Sequence, residues 1–261
     1  PYVIAIALLG LQACGGGGGG TPPPPSDAKA AGYYAGTITT VSPPQTDISA
    51  KAISDSDKFL MVHIDNGSPQ NTILYVGTYT DITDTTFTAN VRIYHNGTFL
   101  RTATISNGSI TEKSSMSGTL SGSGDYTATS FSLTYDTSIN SRSPLVSSQT
   151  DQWTIQSTGT GIYFNSVSSI TNSYDNISII PDSLKGCESG SSTLTDVESE
   201  QPGRIQTFTA VFLSTYGCIN YTADFSLTGY ITPFDSTTED DRYLWVTYNS
   251  DNFFAGELVK Q

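Results

Sequence analysis

The chain has 261 residues and a formal net charge of −13, and its 11 Lys and Arg form no basic run. That argues against nucleic acid as a partner and against adsorption to an anionic bilayer by charge, because both need clustered cations. Charged residues make up only 13% of the chain, yet 15 Tyr, 11 Phe and 2 Trp provide apolar mass for a folded core, unlike the aromatic-poor composition of disordered chains.

Residues 2–13 form an apolar run ending Leu11-Gln12-Ala13. It is too short to span a bilayer, which needs about 20 residues, but has the length of a signal-peptide hydrophobic region. Residues 1–13 are therefore expected to be the remnant of an export signal, with a basic segment expected ahead of Pro1. Leu11-Gln12-Ala13-Cys14 resembles the bacterial lipobox. The resemblance implies cleavage before Cys14, lipidation of its sulfur, and attachment to a membrane through lipid. A plain buried helix ending in an unmodified Cys is the alternative, but Gly15–Gly20 cannot continue a helix. Gly rather than Asp after the cysteine implies, by the sorting pattern of enterobacterial lipoproteins, an outer-membrane location on the periplasmic or the surface face.

Residues 14–30, the lipidated Cys with a polyglycine run and Pro22–Pro25, read as a disordered tether. Polyglycine is flexible and polyproline is stiff, and the whole segment reaches at most roughly 50 Å. From Gly32 onward helical periodicity is missing. Phe87, Ala89, Val91 and Ile93 alternate with polar residues, as do Ile219, Tyr221, Ala223, Phe225 and Leu227. This is the period-two pattern of strands with one buried face. Further strands are expected at 32–39, 58–64, 72–79, 99–105, 116–121, 127–135, 161–168, 176–180, 205–214, 242–248 and 253–259. The fold class expected is all-β, an antiparallel sandwich or barrel. It divides at a polar segment near 140–151 into β lobes 31–139 and 152–261.

Asn96-Gly97 reads as a two-residue hairpin turn, whose central positions need positive φ. Strict pairing about it would set Arg92 opposite Arg101, an unfavourable like-charge pair that a bulge would relieve. Asn66-Gly67 and Asn107-Gly108 give similar turn signals. Gly-Thr recurs at equal intervals at Gly36, Gly77, Gly118 and Gly159, close to the roughly 40-residue period of a four-stranded propeller blade. The flanks share little, so chance in a Thr-rich chain is the competing explanation.

Cys187 and Cys218 remain once Cys14 is lipidated. In an exported protein they are expected to form a disulfide, closing a loop of roughly 31 residues and contributing about 3–4 kcal/mol by chain entropy. Zinc is the alternative, poorly served by two cysteines without a nearby His. Gly186-Cys187, Gly217-Cys218, Phe254-Ala255-Gly256 and the opening Ala31-Gly32-Tyr33-Tyr34-Ala35-Gly36-Thr37 resemble a group of uncharacterised proteobacterial lipoproteins with a Gly-rich tether and two late cysteines. That resemblance implies no activity. A weaker likeness is to the barrel lobes of transferrin-binding-type surface lipoproteins.

Catalytic motifs are sparse. The two histidines, His63 and His95, lie in or beside strands, and no Gly-x-Ser-x-Gly elbow accompanies them. Asp55 with Asp57, Asp81 with Asp84, and Glu239-Asp240-Asp241 are the carboxylate clusters. Asx turns and solvated loops are the plain reading; calcium ligation is the functional one. No cofactor or metal is expected. Trp245, Tyr248 and Phe254, in an aromatic-rich C-terminal stretch, are the candidate ligand-facing residues for a protein or glycan, with burial in the core as the competing fate. The function expected is therefore a non-catalytic envelope lipoprotein whose β domain binds or supports. The alternatives are a carbohydrate-active or other enzyme using turn carboxylates, and an accessory lipoprotein for ligand uptake.

Overall fold

The structure, a computed structural model, describes residues 30–41, 44–63, 72–95, 97–122, 124, 127–141, 151–158, 167–173, 176–181, 189–196, 206–212, 225–233 and 242–260. It is all-β and is built from two closed antiparallel barrels, each an eight-stranded meander. The first runs through β1 (Gly32–Val41), β2 (Pro44–Ser54), β3 (Lys58–His63), β4 (Ile73–Ile82), β5 (Thr86–His95), β6 (Thr98–Thr111), β7 (Ser115–Thr119) and β8 (Ala128–Tyr135). It closes where β1 pairs with β8, from Tyr34 opposite Tyr135 to Thr40 opposite Ala128. A single helical turn, α1 (Thr137–Asn140), follows. The second barrel runs through β9 (Asp151–Thr158), β10 (Val167–Ser173), β11 (Asn176–Pro181), β12 (Ser189–Asp196), β13 (Gln206–Phe212), β14 (Phe225–Pro233), β15 (Arg242–Tyr248) and β16 (Phe253–Lys260). It closes through β16 and β9.

Eight strands leave an interior that side chains alone can fill. In the first barrel Tyr34, Phe59, Met61, Tyr75, Phe87, Val91, Ile93, Phe131 and Leu133 fill it. Space is found by setting Gly opposite Phe on neighbouring strands. Phe59 faces Gly77, Phe87 faces Gly108, and Phe131 faces Gly118. A Cβ on Gly77 would fall 2.0 Å from the Phe59 ring, and one on Gly108 2.4 Å from Phe87. The evenly spaced Gly-Thr pairs are accordingly not blade markers. Gly36, Gly77 and Gly118 lie in β1, β4 and β7 of one barrel, and Gly159 lies outside the described residues. Asn107-Gly108 is no turn either. It sits inside β6, where the register shifts between Phe87 and Ala89. The second barrel repeats the aromatic–glycine register, with Phe208 opposite Gly229 and Trp245 opposite Gly256.

The barrels pack side by side. The outward residues of β1 to β5, Tyr33, Ile53, Leu60, Val62, Leu74, Val76 and Tyr94, form a second core with Tyr230, Leu244, Val246, Phe253 and Ala255 of the other barrel. An ion cluster joins the same faces. Glu257, 5% exposed, binds Lys51 from the first barrel and Arg242 at 3.1 Å from its own. Lys58 lies over the Tyr230 ring, 5.6 Å from its centroid.

Candidate functional site

The two ends of the first barrel differ. At one end the chain enters through buried Ala30 and Ala31 and is clamped by Asn140. Its Oδ1 accepts the Tyr33 N–H at 2.8 Å, and its Nδ2 donates to the Tyr33 carbonyl at 2.9 Å. Asp136 holds the clamp's helical turn by accepting the Ile139 N–H at 3.0 Å, an N-cap bond. Gly32, with φ of 141°, sits under Tyr135 where a side chain would clash.

At the opposite end the hairpin tips of both barrels clasp. Phe99 N–H donates to the Asp251 carbonyl at 2.7 Å, Phe253 N–H donates to the Gly97 carbonyl at 2.9 Å, and Thr98 bridges Asn252. Asn249 shapes its tip by accepting the Asp251 and Asn252 N–H groups through Oδ1. Tyr94 is the hub. Its ring lies 5.7 Å from Phe99, 6.0 Å from Phe253 and 6.3 Å from Tyr248. Arg92 covers Phe99 at 4.3 Å, donates from Nε to the Tyr94 hydroxyl at 3.0 Å and reaches the Ser250 carbonyl. The Tyr94 hydroxyl in turn donates to the Asn249 carbonyl at 2.7 Å. Burial, partly offset by Arg92, raises the Tyr94 pKa, and burial raises that of Tyr248.

A bulge shapes the rim of this cluster. Tyr94 pairs with Phe99 but Ile93 pairs with Arg101, so Leu100 is the extra residue. Arg92 thereby falls opposite Thr102, and the like-charge pair is avoided. Phe99 and Leu100, each 38% exposed, are the exposed large hydrophobics among the described residues. They form a small apolar lip, edged by Arg92, at the end of the barrel away from Ala30.

The expected aromatic face is corrected in part. Trp245 is 1% exposed, so it is buried rather than displayed on an exposed aromatic face. It stands three residues from Tyr248 on one strand, and residues an odd number apart point to opposite faces. Tyr248 is half-buried and packs on the inter-barrel core. Phe254 pairs with Thr247 in the β15–β16 ladder, and its side chain lies outside the described residues, as do Cys14, Cys187, Cys218 and the Glu239–Asp241 cluster. The residues that build the lip, Arg92, Tyr94, Phe99 and Leu100, were not singled out in sequence as a surface. The signal for them was the two consecutive apolar residues just after the Asn96-Gly97 turn, where strict alternation fails.

Among the turn carboxylates, Asp55 shapes its own turn. Asp55, 8% exposed, accepts the Asp57 and Lys58 N–H groups through Oδ1, both at 2.7 Å. Burial raises its pKa against those hydrogen bonds. Asp81 and Asp84 are exposed about the β4–β5 turn. His63 donates from Nδ1 to the Ser49 carbonyl at 2.9 Å, and burial lowers the His95 pKa. Among the described residues no group of three or more His, Cys, Asp or Glu is arranged to hold a metal ion, and no helix is long and apolar enough to cross a membrane.

No protein-family model, curated protein or solved structure matches the chain.

Proposed function

We propose that the protein is a lipid-anchored lipoprotein of the bacterial cell envelope, whose paired barrels form a non-catalytic module for binding or support. The observation that carries this reading is Leu11-Gln12-Ala13-Cys14 at the end of an apolar leader, followed at once by the Gly and Pro tether. A single acyl chain holds a protein only marginally, whereas two or more hold it stably. The tripled lipid of a mature lipoprotein would make this attachment lasting.

The geometry of the folded part is in keeping with display. A tether ahead of Ala30 would meet the first barrel beside the Asn140 clamp, and the Phe99–Leu100 lip lies at the other end. A partner reaching the lip, protein or glycan, would approach from the side away from the bilayer. The outer membrane is the proposed location, from Gly15 following the cysteine. The late cysteines Cys187 and Cys218 are proposed as a disulfide of the second barrel.

Replacing Cys14 with Ser tests the reading. In cells fed a radiolabelled fatty acid, the native chain should take up label and fractionate with membranes. The C14S chain should be unlabelled and either unprocessed or soluble. Tight membrane association of an unlabelled, mature C14S chain would overturn the proposal.

A further inference from the structure

Both histidines of the chain end strands at the lip end of the first barrel. His63 closes β3 and His95 closes β5, and they flank Ile73 in one cross-strand row, roughly 10 Å apart at two strand spacings. Alternation sets them in step with Met61 and Ile93, which belong to the barrel core, so both crown the interior rather than the inter-barrel face. Arg101 joins them. It pairs with Ile93 and keeps step with the core residues Ala103 and Ile105. The Leu100 bulge is what turns it inward.

Two arginines thus flank one bulge with different fates. Arg92 is consumed by Tyr94, Phe99 and the Ser250 carbonyl. The Arg101 guanidinium lies against Gly124, where a Cβ would fall 1.8 Å from Nη1. Its Nε is buried without an acceptor, and Arg101 joins neither of the ion pairs that hold Glu257. A withdrawn donor with no partner costs free energy. That is an odd expense in a chain carrying 24 Asp and Glu. A guanidinium fork is the side chain best matched to carboxylate and phosphate oxygens.

We propose that the mouth of the first barrel, the end crowned by His63 and His95, binds a small oxyanion, a carboxylate or phosphate group, on Arg101. Beneath the site Ile73 and Ile93 are buried, and the Tyr75 hydroxyl accepts the Ala128 N–H at 2.7 Å, so the interior is filled. It takes a free anion or the charged end of a longer ligand. The proposal does not depend on the membrane anchor, since the site is the same in a C14S chain.

Melting of the full chain in sodium phosphate and in sodium acetate, each against sodium chloride at equal ionic strength, tests it. At least one oxyanion should raise the melting temperature above the chloride reference, with a saturable dependence on concentration. A response to phosphate alone assigns phosphate, and a response to acetate assigns a carboxylate. R101Q should weaken the response at least tenfold, and R101K should keep part of it. G124A, which displaces the guanidinium without removing its charge, should weaken it severalfold and decides the matter if R101Q does not fold. Native-like binding in R101Q, or in G124A, or no response above chloride to either anion, would overturn the proposal.

Discussion

Strands β3 and β4 and strands β6 and β8 belong to one barrel but read differently in sequence. In β3 and β4 every residue from Phe59 to Val62 and from Ile73 to Val76 is buried. Alternate residues there serve two cores, Phe59, Met61 and Tyr75 inside the barrel and Leu60, Val62, Leu74 and Val76 against its neighbour. In β8, Phe131, Leu133 and Tyr135 point in, while Ser132 and Thr134 meet solvent. β6 alternates likewise beyond its bulge. The difference teaches that an unbroken apolar run marks a strand covered on both faces, and so marks where the second barrel docks.

Adjacent residues of β3 allow that division to be broken one core at a time. Phe59→Ala, inside the barrel, should cost about 3–5 kcal/mol, read as a lowered urea midpoint for the first barrel with the barrels still docked. Leu60→Ala, next to it but facing outward, should cost about 2–5 kcal/mol. Its signature should differ, with the unfolding transitions of the two barrels separating and amide exchange rising on β14 to β16. If the two variants give the same exchange pattern, the two cores act as one.

A smaller effect is expected at the clasp. Tyr94→Phe keeps the ring contacts but removes the hydroxyl that links Arg92 to the Asn249 carbonyl, at a cost of about 1 kcal/mol. Faster amide exchange at the 249–252 tip, with the barrel interiors unchanged, would confirm that the clasp is local.

The smallest effect belongs to Asp55, which lies in the β2–β3 turn. Its folded pKa is raised above the ordinary 3.8 by burial. The folded state therefore holds the proton more tightly than the unfolded state. The contribution of this group to stability is complete below the unfolded pKa and is lost as pH rises through the folded one. Asp55→Asn retains an oxygen for both backbone N–H groups and has no charge to bury. Relative to the native chain it should gain stability as pH rises from 3 to 7. A difference in melting temperature that is flat across that range would show that the carboxylate is not strained by its burial.

Much of this architecture could be read from residue patterns. The alternation of Phe87, Ala89, Val91 and Ile93 gives β5 directly. β2 and β12 carry little strand pattern of their own, because Pro44–Ser54 and Ser189–Asp196 are mostly small and polar. Their strand character comes from neighbours that supply the ladder. The expected strand at 161–168 shares only Val167 and Ser168 with β10, and β9, at the start of the expected second lobe, is not among the expected strands. Sandwich and barrel could not be separated in sequence. Closure rests on β1 meeting β8 across the length of the lobe, and periodicity carries no information about pairing at that distance.

At the candidate site the physics was legible only where it was local. The conflict between Arg92 and Arg101 announced the bulge at Leu100. The joining of Tyr248 to Tyr94 depended on a face contributed by another barrel, which no spacing within β15 encodes.

The Asn140 clamp has a mechanical consequence. A pull along the N-terminal segment is delivered to the first residues of β1, which lies between β2 and β8 from Gly32 to Val41. Its hydrogen bonds to both neighbours run across the strand axis. Tension along that axis loads the rungs together in shear rather than opening them singly, and α1 braces the point where the load arrives. A body hung by this strand would yield only by sliding a whole stave out of the cask.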